Sequence, residues 1–305
     1  MVRVAMLSLA MLWILAGGAL GAAHPNANTT KPVEVLQGEI AELQIPSQGL
    51  SAVTGWLGKQ IIPFYRNGEG TYAALVGIDL EAKSGTVKVV VKSTTDAGAH
   101  HETVIALRIK PKLFKKESFS VAAEFDSLSE EVLERIRREQ DDFSRVFATS
   151  APQRLWEGAF VPPVSAEVSS PFGYRRVING MPRAPHTGTD LRVPTGTEVR
   201  ASNNGKVVLL GDFFFSGRSV ILDHGGGLYT MYFHLSEFRV EEGTTAGKGD
   251  VIGLSGMTGR VTGPHLHWGA RLNNARIDPF ELVGKLLGKS DNPAGSQRVV
   301  EIPEK

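Results

Sequence analysis

Ser219-Val-Ile-Leu-Asp-His-Gly-Gly-Gly-Leu-Tyr-Thr-Met-Tyr-Phe-His234 decides the fold. Two runs rich in β-branched, aromatic and aliphatic residues flank three glycines, and glycine reaches positive φ without the steric cost of a Cβ. The stretch therefore reads as an antiparallel hairpin turning at Gly225 to Gly227. His234 is expected to close the second strand on the parity of Thr230 and Tyr232. On either side, from about 166 to 283, short strand-like runs alternate with Gly and Pro punctuation, as in an antiparallel β domain.

Two more histidine segments lie in that region: His186-Thr-Gly-Thr-Asp190 and Gly263-Pro-His-Leu-His-Trp268. The chain has no cysteine, which excludes thiolate zinc sites, thiol nucleophiles and disulfide frameworks. Any metal must then sit on imidazole and carboxylate. His186, Asp190, His265 and His267 have the chemistry for one centre, and residues two apart on a strand share a face, so His265 and His267 can look into one groove. A catalytic zinc takes three protein ligands, so three of the four suffice. The fourth imidazole is then free to orient or deprotonate water. Spacing alone does not choose between His265 and His267 as ligand.

The set Ser170-Pro-Phe-Gly-Tyr-Arg175, His186-Thr-Gly-Thr-Asp190, Gly196-Thr-Glu-Val-Arg-Ala201, Asp223-His-Gly225, Tyr232-Phe-His-Leu235 and Thr262-Gly-Pro-His-Leu-His267 resembles the M23 (lysostaphin/LytM-type) zinc metallopeptidases. The resemblance implies a compact antiparallel β domain with a groove, Zn2+ bound through His186, Asp190 and His267, and catalytic imidazoles at His234 and His265. It also implies an exported metalloendopeptidase that hydrolyses peptide bonds of peptidoglycan with a metal-activated water. The alternative is a non-enzymatic peptidoglycan-binding or amidase-activating protein on the same fold. Many relatives carry an acidic residue after the His-x-His-aromatic motif, where this chain has Gly269.

The remaining histidines read more plainly. His224, at the hairpin turn, is a hydrogen-bonded structural residue. His100 and His101 are exposed turn residues after Asp96-Ala-Gly98. His101-Glu102 does not extend to a His-Glu-x-x-His zinc motif, because Ile105 stands where the second histidine belongs. Trp268 faces away from its neighbours, towards the core, and Arg175 and Arg176 are ordinary surface charges unless substrate carboxylates lie there.

Ahead of this region, alternating runs such as Thr86-Val-Lys-Val-Val-Val-Lys92 suggest a β-sandwich over 24–116. A helical connector follows over 117–165, its pattern running from Ser127 to Phe147 with a capping serine at the start of Ser129-Glu-Glu-Val-Leu-Glu. The groove domain occupies 166–285 and a tail 286–305. Arg3 followed by the uncharged run Val4 to Ala23 reads as a signal peptide, 1–23, so the chain is expected outside the cytoplasm, periplasmic or secreted, with no stable membrane span after cleavage. Thirty-three basic against 32 acidic residues, without a basic block, give no nucleic-acid footprint. The chain is thus read as mainly β: sandwich, helical connector and C-terminal antiparallel metallopeptidase domain.

Overall fold

The computed structural model describes residues 31–284 apart from 68–69 and 121–127; the expected signal peptide and the tail 286–305 lie outside the described residues. No helix among the described residues is long and apolar enough to cross a membrane.

Among the described residues eight strands come first: β1 (Val33–Leu36), β2 (Ile40–Pro46), β3 (Leu50–Leu57), β4 (Gln60–Pro63), β5 (Tyr65–Arg66), β6 (Thr71–Gly77), β7 (Gly85–Thr95) and β8 (His100–Lys110). They form two sheets, ordered β1-β8-β7-β3-β4 and β2-β6-β5, in agreement with the sandwich expected from alternation. Val89 and Val91 of β7 and Ile105 and Leu107 of β8 point inward onto Leu43, Ala74 and Val76 of the other sheet. Lys88 and Lys92 take the outer face. Each such aliphatic side chain contributes about 1.5–3 kcal/mol on burial. His100 and His101 are exposed as expected, but they begin strand β8 rather than occupying a turn.

The second half contains β9 (Lys116–Phe119), α1 (Glu130–Ala148), β10 (Val168–Ser170), β11 (Arg175–Ile178), β12 (Met181–Pro182), β13 (Gly188–Leu191), β14 (Glu198–Arg200) and β15 (Gly205–Phe213). It continues with β16 (Gly217–Gly225), β17 (Leu228–Phe238), β18 (Thr245–Ala246), β19 (Val251–Ser255), β20 (Leu266–Leu272), β21 (Ala275–Ile277) and α2 (Phe280–Gly284). The large sheet runs β10-β13-β20-β17-β16-β15-β18, and the quoted hairpin is its β16–β17 pair. A small sheet, β12-β11-β9, stands beside it, with β9 parallel to β11. The segment after the sandwich therefore enters the second half as a strand before it becomes a helix.

Ser129 caps α1 by accepting from the Val132 N–H, and Glu130 and Glu131 complement the dipole at that end. Phe143, Val146 and Phe147 of α1 pack on Ile221, Tyr229 and Met231, so the helix braces one face of the large sheet. The sandwich is joined by a shared core in which Ile40 and Leu75 meet Trp156, Phe160, Leu228 and Leu272. Arg276 donates to both Asp79 oxygens, at 2.9 and 2.6 Å. Gly226, at φ 61°, lies so close to the sandwich that a Cβ there would sit 1.9 Å from Tyr65 Oη. The glycine turn thus seats the sandwich as well as reversing the chain.

His224 is fully buried and behaves as the structural residue the sequence suggests. A relay runs from the Ser202 N–H to Tyr232 Oη, from that hydroxyl to Thr230 Oγ1, from Thr230 to His224 Nε2, and from His224 Nδ1–H to the Asn204 carbonyl. A neutral ring completes it in this direction, and burial pushes the imidazole down to about 4. Unfolded, the same histidine takes a proton near 6.5. Between these values the unfolded state binds more protons, so stability is full above 6.5 and falls as pH drops towards 4. This residue alone accounts for about 3 kcal/mol of that fall. Urea unfolding of His224→Gln at neutral and acid pH, with chelator present throughout, should show an acid-induced loss smaller than the parent's by about that amount.

Candidate metal centre and groove

β13 lies antiparallel to β20 in a register that sets Asp190 directly opposite His267 and Gly188 opposite Gly269. His186 stands just ahead of β13, its N–H donating to the Tyr174 carbonyl at 2.9 Å. This local geometry brings three donor atoms together. His186 Nε2 is 3.0 Å from Asp190 Oδ1, His267 Nδ1 is 2.8 Å from the same oxygen, and the two nitrogens are 3.0 Å apart. All three side chains are buried.

The set suits a small dication. Ligands about 2.0–2.1 Å from a tetrahedral centre lie roughly 3.3 Å from one another, close to the separations seen. The Pro171 carbonyl, 3.1 Å from His186 Nδ1, requires a proton there and so turns the Nε2 lone pair towards the other two donors. Burial opposes the charge on Asp190, but the His186 and His267 ring nitrogens outweigh it and hold the carboxyl well below the usual carboxylate range. Burial likewise pushes His267 down to about 4, against the pull of Asp190, so its imidazole is neutral as a metal ligand must be. Residues 186, 190 and 267 thus form a group that could hold one metal ion.

The His267 ring is held from both sides. Phe233 stacks on it, with ring centroids 5.3 Å apart and planes within 4°. On the other side a Cβ at Gly188 would sit 2.5 Å from His267 Nε2, which explains the glycine in His-Thr-Gly-Thr-Asp. Gly269 is similarly hemmed in: a Cβ there would meet Met231 Cε at 2.8 Å. That atom is the far end of a flexible side chain, so a larger residue at 269 would need only Met231 to shift.

His234 reaches the groove by a route that simple alternation misses. Thr230 and Tyr232 point into the core, where neither is exposed. Continued alternation would have buried His234 beside them, so the expectation of shared parity is overturned. The β16–β17 register steps from Val220 opposite Tyr232 to Arg218 opposite Leu235, which puts one extra residue in β17, and His234 takes φ 64°. This bulge turns the imidazole towards His265 and His267, at centroid distances of 4.8 and 6.0 Å.

His265 and His267 do line one groove, as their two-residue spacing predicts. Backbone carbonyls fix both of the outer imidazoles. His234 Nδ1–H donates to Thr258 O and His265 Nδ1–H to Gly263 O, each at 2.8 Å, which leaves both Nε2 atoms as acceptors. Burial, followed by the neighbouring His267 and His265, pushes His234 down to about 3. The groove encloses about 610 Å³ and is walled in part by Phe215, Arg260, Thr262 and Glu117.

Sequence reasoning missed the residues around the ligands. Arg176, read as a surface charge, donates from Nη2 to Asp190 Oδ2 at 3.2 Å. Ser170 Oγ lies 3.2 Å from His186 Nδ1. Spacing carries no signal for either contact, because both depend on how β10 and β11 are laid against β13. Trp268 is fully buried, as expected from its parity.

A family model described as peptidase family M23 matches residues 184–279, which include His186, Asp190, His234, His265 and His267. A crystal structure from Pseudomonas aeruginosa described as peptidase M23 superposes with a TM-score of 0.65 at 32% identity, over 84% of this chain and 96% of that one. The chain belongs to peptidase family M23. Because that match extends well beyond 184–279, the resemblance to an M23 protein takes in most of the region ahead of the groove. Among curated M23-like relatives, DD-carboxypeptidase/endopeptidase Mpg of Neisseria meningitidis serogroup B is 45% identical over 122 residues, 40% of this chain and 28% of that protein. Peptidoglycan DD-endopeptidase ShyA of Vibrio cholerae is 46% identical over 102 residues, 33% of this chain and 24% of that protein. The match to these curated relatives spans about a quarter of their length.

Proposed function

We propose that this M23 chain is an exported zinc metalloendopeptidase that cuts peptide bonds of peptidoglycan. The observation that carries the reading is the meeting of three metal-donor atoms, all within 3.0 Å of one another, with two further imidazoles on one groove. His186, Asp190 and His267 would hold the ion, and two imidazoles with one carboxylate form a donor set that suits zinc. Bound there, zinc supplies Lewis acidity that polarises a scissile carbonyl and makes water nucleophilic near neutral pH.

The other imidazoles handle protons. Each holds its Nδ1–H on a backbone carbonyl and presents a bare Nε2. One such nitrogen takes the proton of the attacking water and, once charged, returns it to the departing amine, while the other accepts a hydrogen bond that orients the water. The names of the Neisseria and Vibrio relatives favour a cross-link between D-residues as the bond cut, and a peptidoglycan substrate agrees with the export expected from residues 1–23.

Purified chain incubated with cross-linked sacculi should release un-cross-linked stem peptides identifiable by mass spectrometry. Chelation should stop the release and added zinc restore it. Binding to sacculi with no release, unchanged in His267→Ala, would instead establish the non-enzymatic reading.

A further inference from the structure

We infer that Glu117 is a positioning residue for the metal ligands, delivered to the groove by a strand that lies ahead of residues 184–279, the part matched by the family model. The inference rests on the metal reading of the groove. Strand β9 runs parallel to β11 with Glu117 opposite Arg176, and Glu117 lines the groove together with Asp190 and His267. From there one carboxylate acts on two ligands by separate routes.

The first route is a hydrogen-bond relay. Ser170 Oγ donates to Glu117 Oε2 at 3.0 Å, and its own oxygen lies 3.2 Å from His186 Nδ1, where it shares the ring proton with Pro171 O. An acceptor at Nδ1 fixes the tautomer and keeps Nε2 turned to the metal site, and an anionic end to the relay raises the basicity of that nitrogen. The second route is electrostatic. Arg176 donates to Asp190 Oδ2 at 3.2 Å, and this cation beside a ligand carboxylate opposes the arrival of a dication. Glu117 Oε2, 3.7 Å from Arg176 Nε, offsets that charge. Removing the carboxylate therefore weakens the donor set at His186 and takes away a negative charge that lies beside Arg176.

The test uses the full chain and two readouts: zinc affinity by competition with a chromophoric chelator, and kcat and KM on a cross-linked muropeptide at saturating zinc. Glu117→Gln is nearly isosteric and still accepts from Ser170, but it carries no charge. It should bind zinc about 10- to 100-fold more weakly, the usual cost of losing an outer partner of a metal ligand, with kcat reduced and KM within twofold of the parent. Lys116→Ala, on the exposed side of the same strand, should leave both readouts unchanged. Should Glu117→Gln fail to fold, Ser170→Ala, which cuts the His186 route alone, is read in the same way. Zinc affinity within twofold of the parent would overturn the inference. So would an equal loss in Lys116→Ala, which would make β9 a brace and its carboxylate incidental. A parent chain that takes up no zinc would instead overturn the proposed function itself.

Discussion

Replacing His267 by alanine is expected to abolish zinc uptake and to lower release of peptide from sacculi by at least about 10³-fold. Its Nδ1 lies within 3.0 Å of both other donor atoms, so its loss leaves two ligands where a catalytic zinc takes three. Lewis-acid stabilisation is worth several kcal/mol, and each 1.36 kcal/mol is a decade of rate, which sets the size of the effect. The fold should survive. The ring lies at the groove between Phe233 and Gly188, whereas the main core beneath it is built from Trp268, Leu266, Tyr232 and Val220. Metal content by elemental analysis, circular dichroism and the rate of muropeptide release check the three parts together. A folded variant that kept one equivalent of zinc and the parental rate would remove His267 from the ligand set.

That outcome turns on a register, and registers are the part of this protein least visible in its amino-acid order. Alternation made the sandwich strands legible, because Val89, Val91, Ile105 and Leu107 fall on one face while Lys88, Lys92 and Arg108 take the other. The hairpin was legible from three glycines, and α1 from a serine cap followed by a helical stripe. What no local pattern carried was the placing of Asp190 opposite His267, since β13 and β20 are distant in sequence and nothing in either strand states its partner. Family likeness supplied the choice of His267 over His265, and the structure gives its physical form: His267 Nδ1 is 2.8 Å from Asp190 Oδ1, whereas His265 Nε2 is 3.8 Å away. Glu117 and Arg176 were illegible for a related reason. Their meeting depends on a parallel pairing of β9 with β11, which local sequence does not announce.

His234→Asn should lower kcat by about 10²- to 10⁴-fold, the usual share of a positioned acid–base group, with zinc affinity and unfolding midpoint close to the parent's. Asparagine is the informative exchange because the backbone at this position is left-handed, φ 64°. Asn tolerates that region, whereas alanine would add roughly 1–2 kcal/mol of strain and confuse lost chemistry with lost structure. The main-chain anchors are kept: the His234 N–H still donates to Ser216 O at 2.9 Å, and the tight packing of Gly256 on the bulge is untouched. What disappears is the Nε2 that faces the groove. Steady-state kinetics on a cross-linked muropeptide, with zinc titrated separately, separates the outcomes. A fall in kcat at unchanged zinc affinity assigns His234 to proton handling, whereas a parallel loss of zinc would make it a ligand. Its own geometry argues for the first result, because its Nδ1 is committed to the Thr258 carbonyl, and the donor set formed by His186, Asp190 and His267 is complete without it.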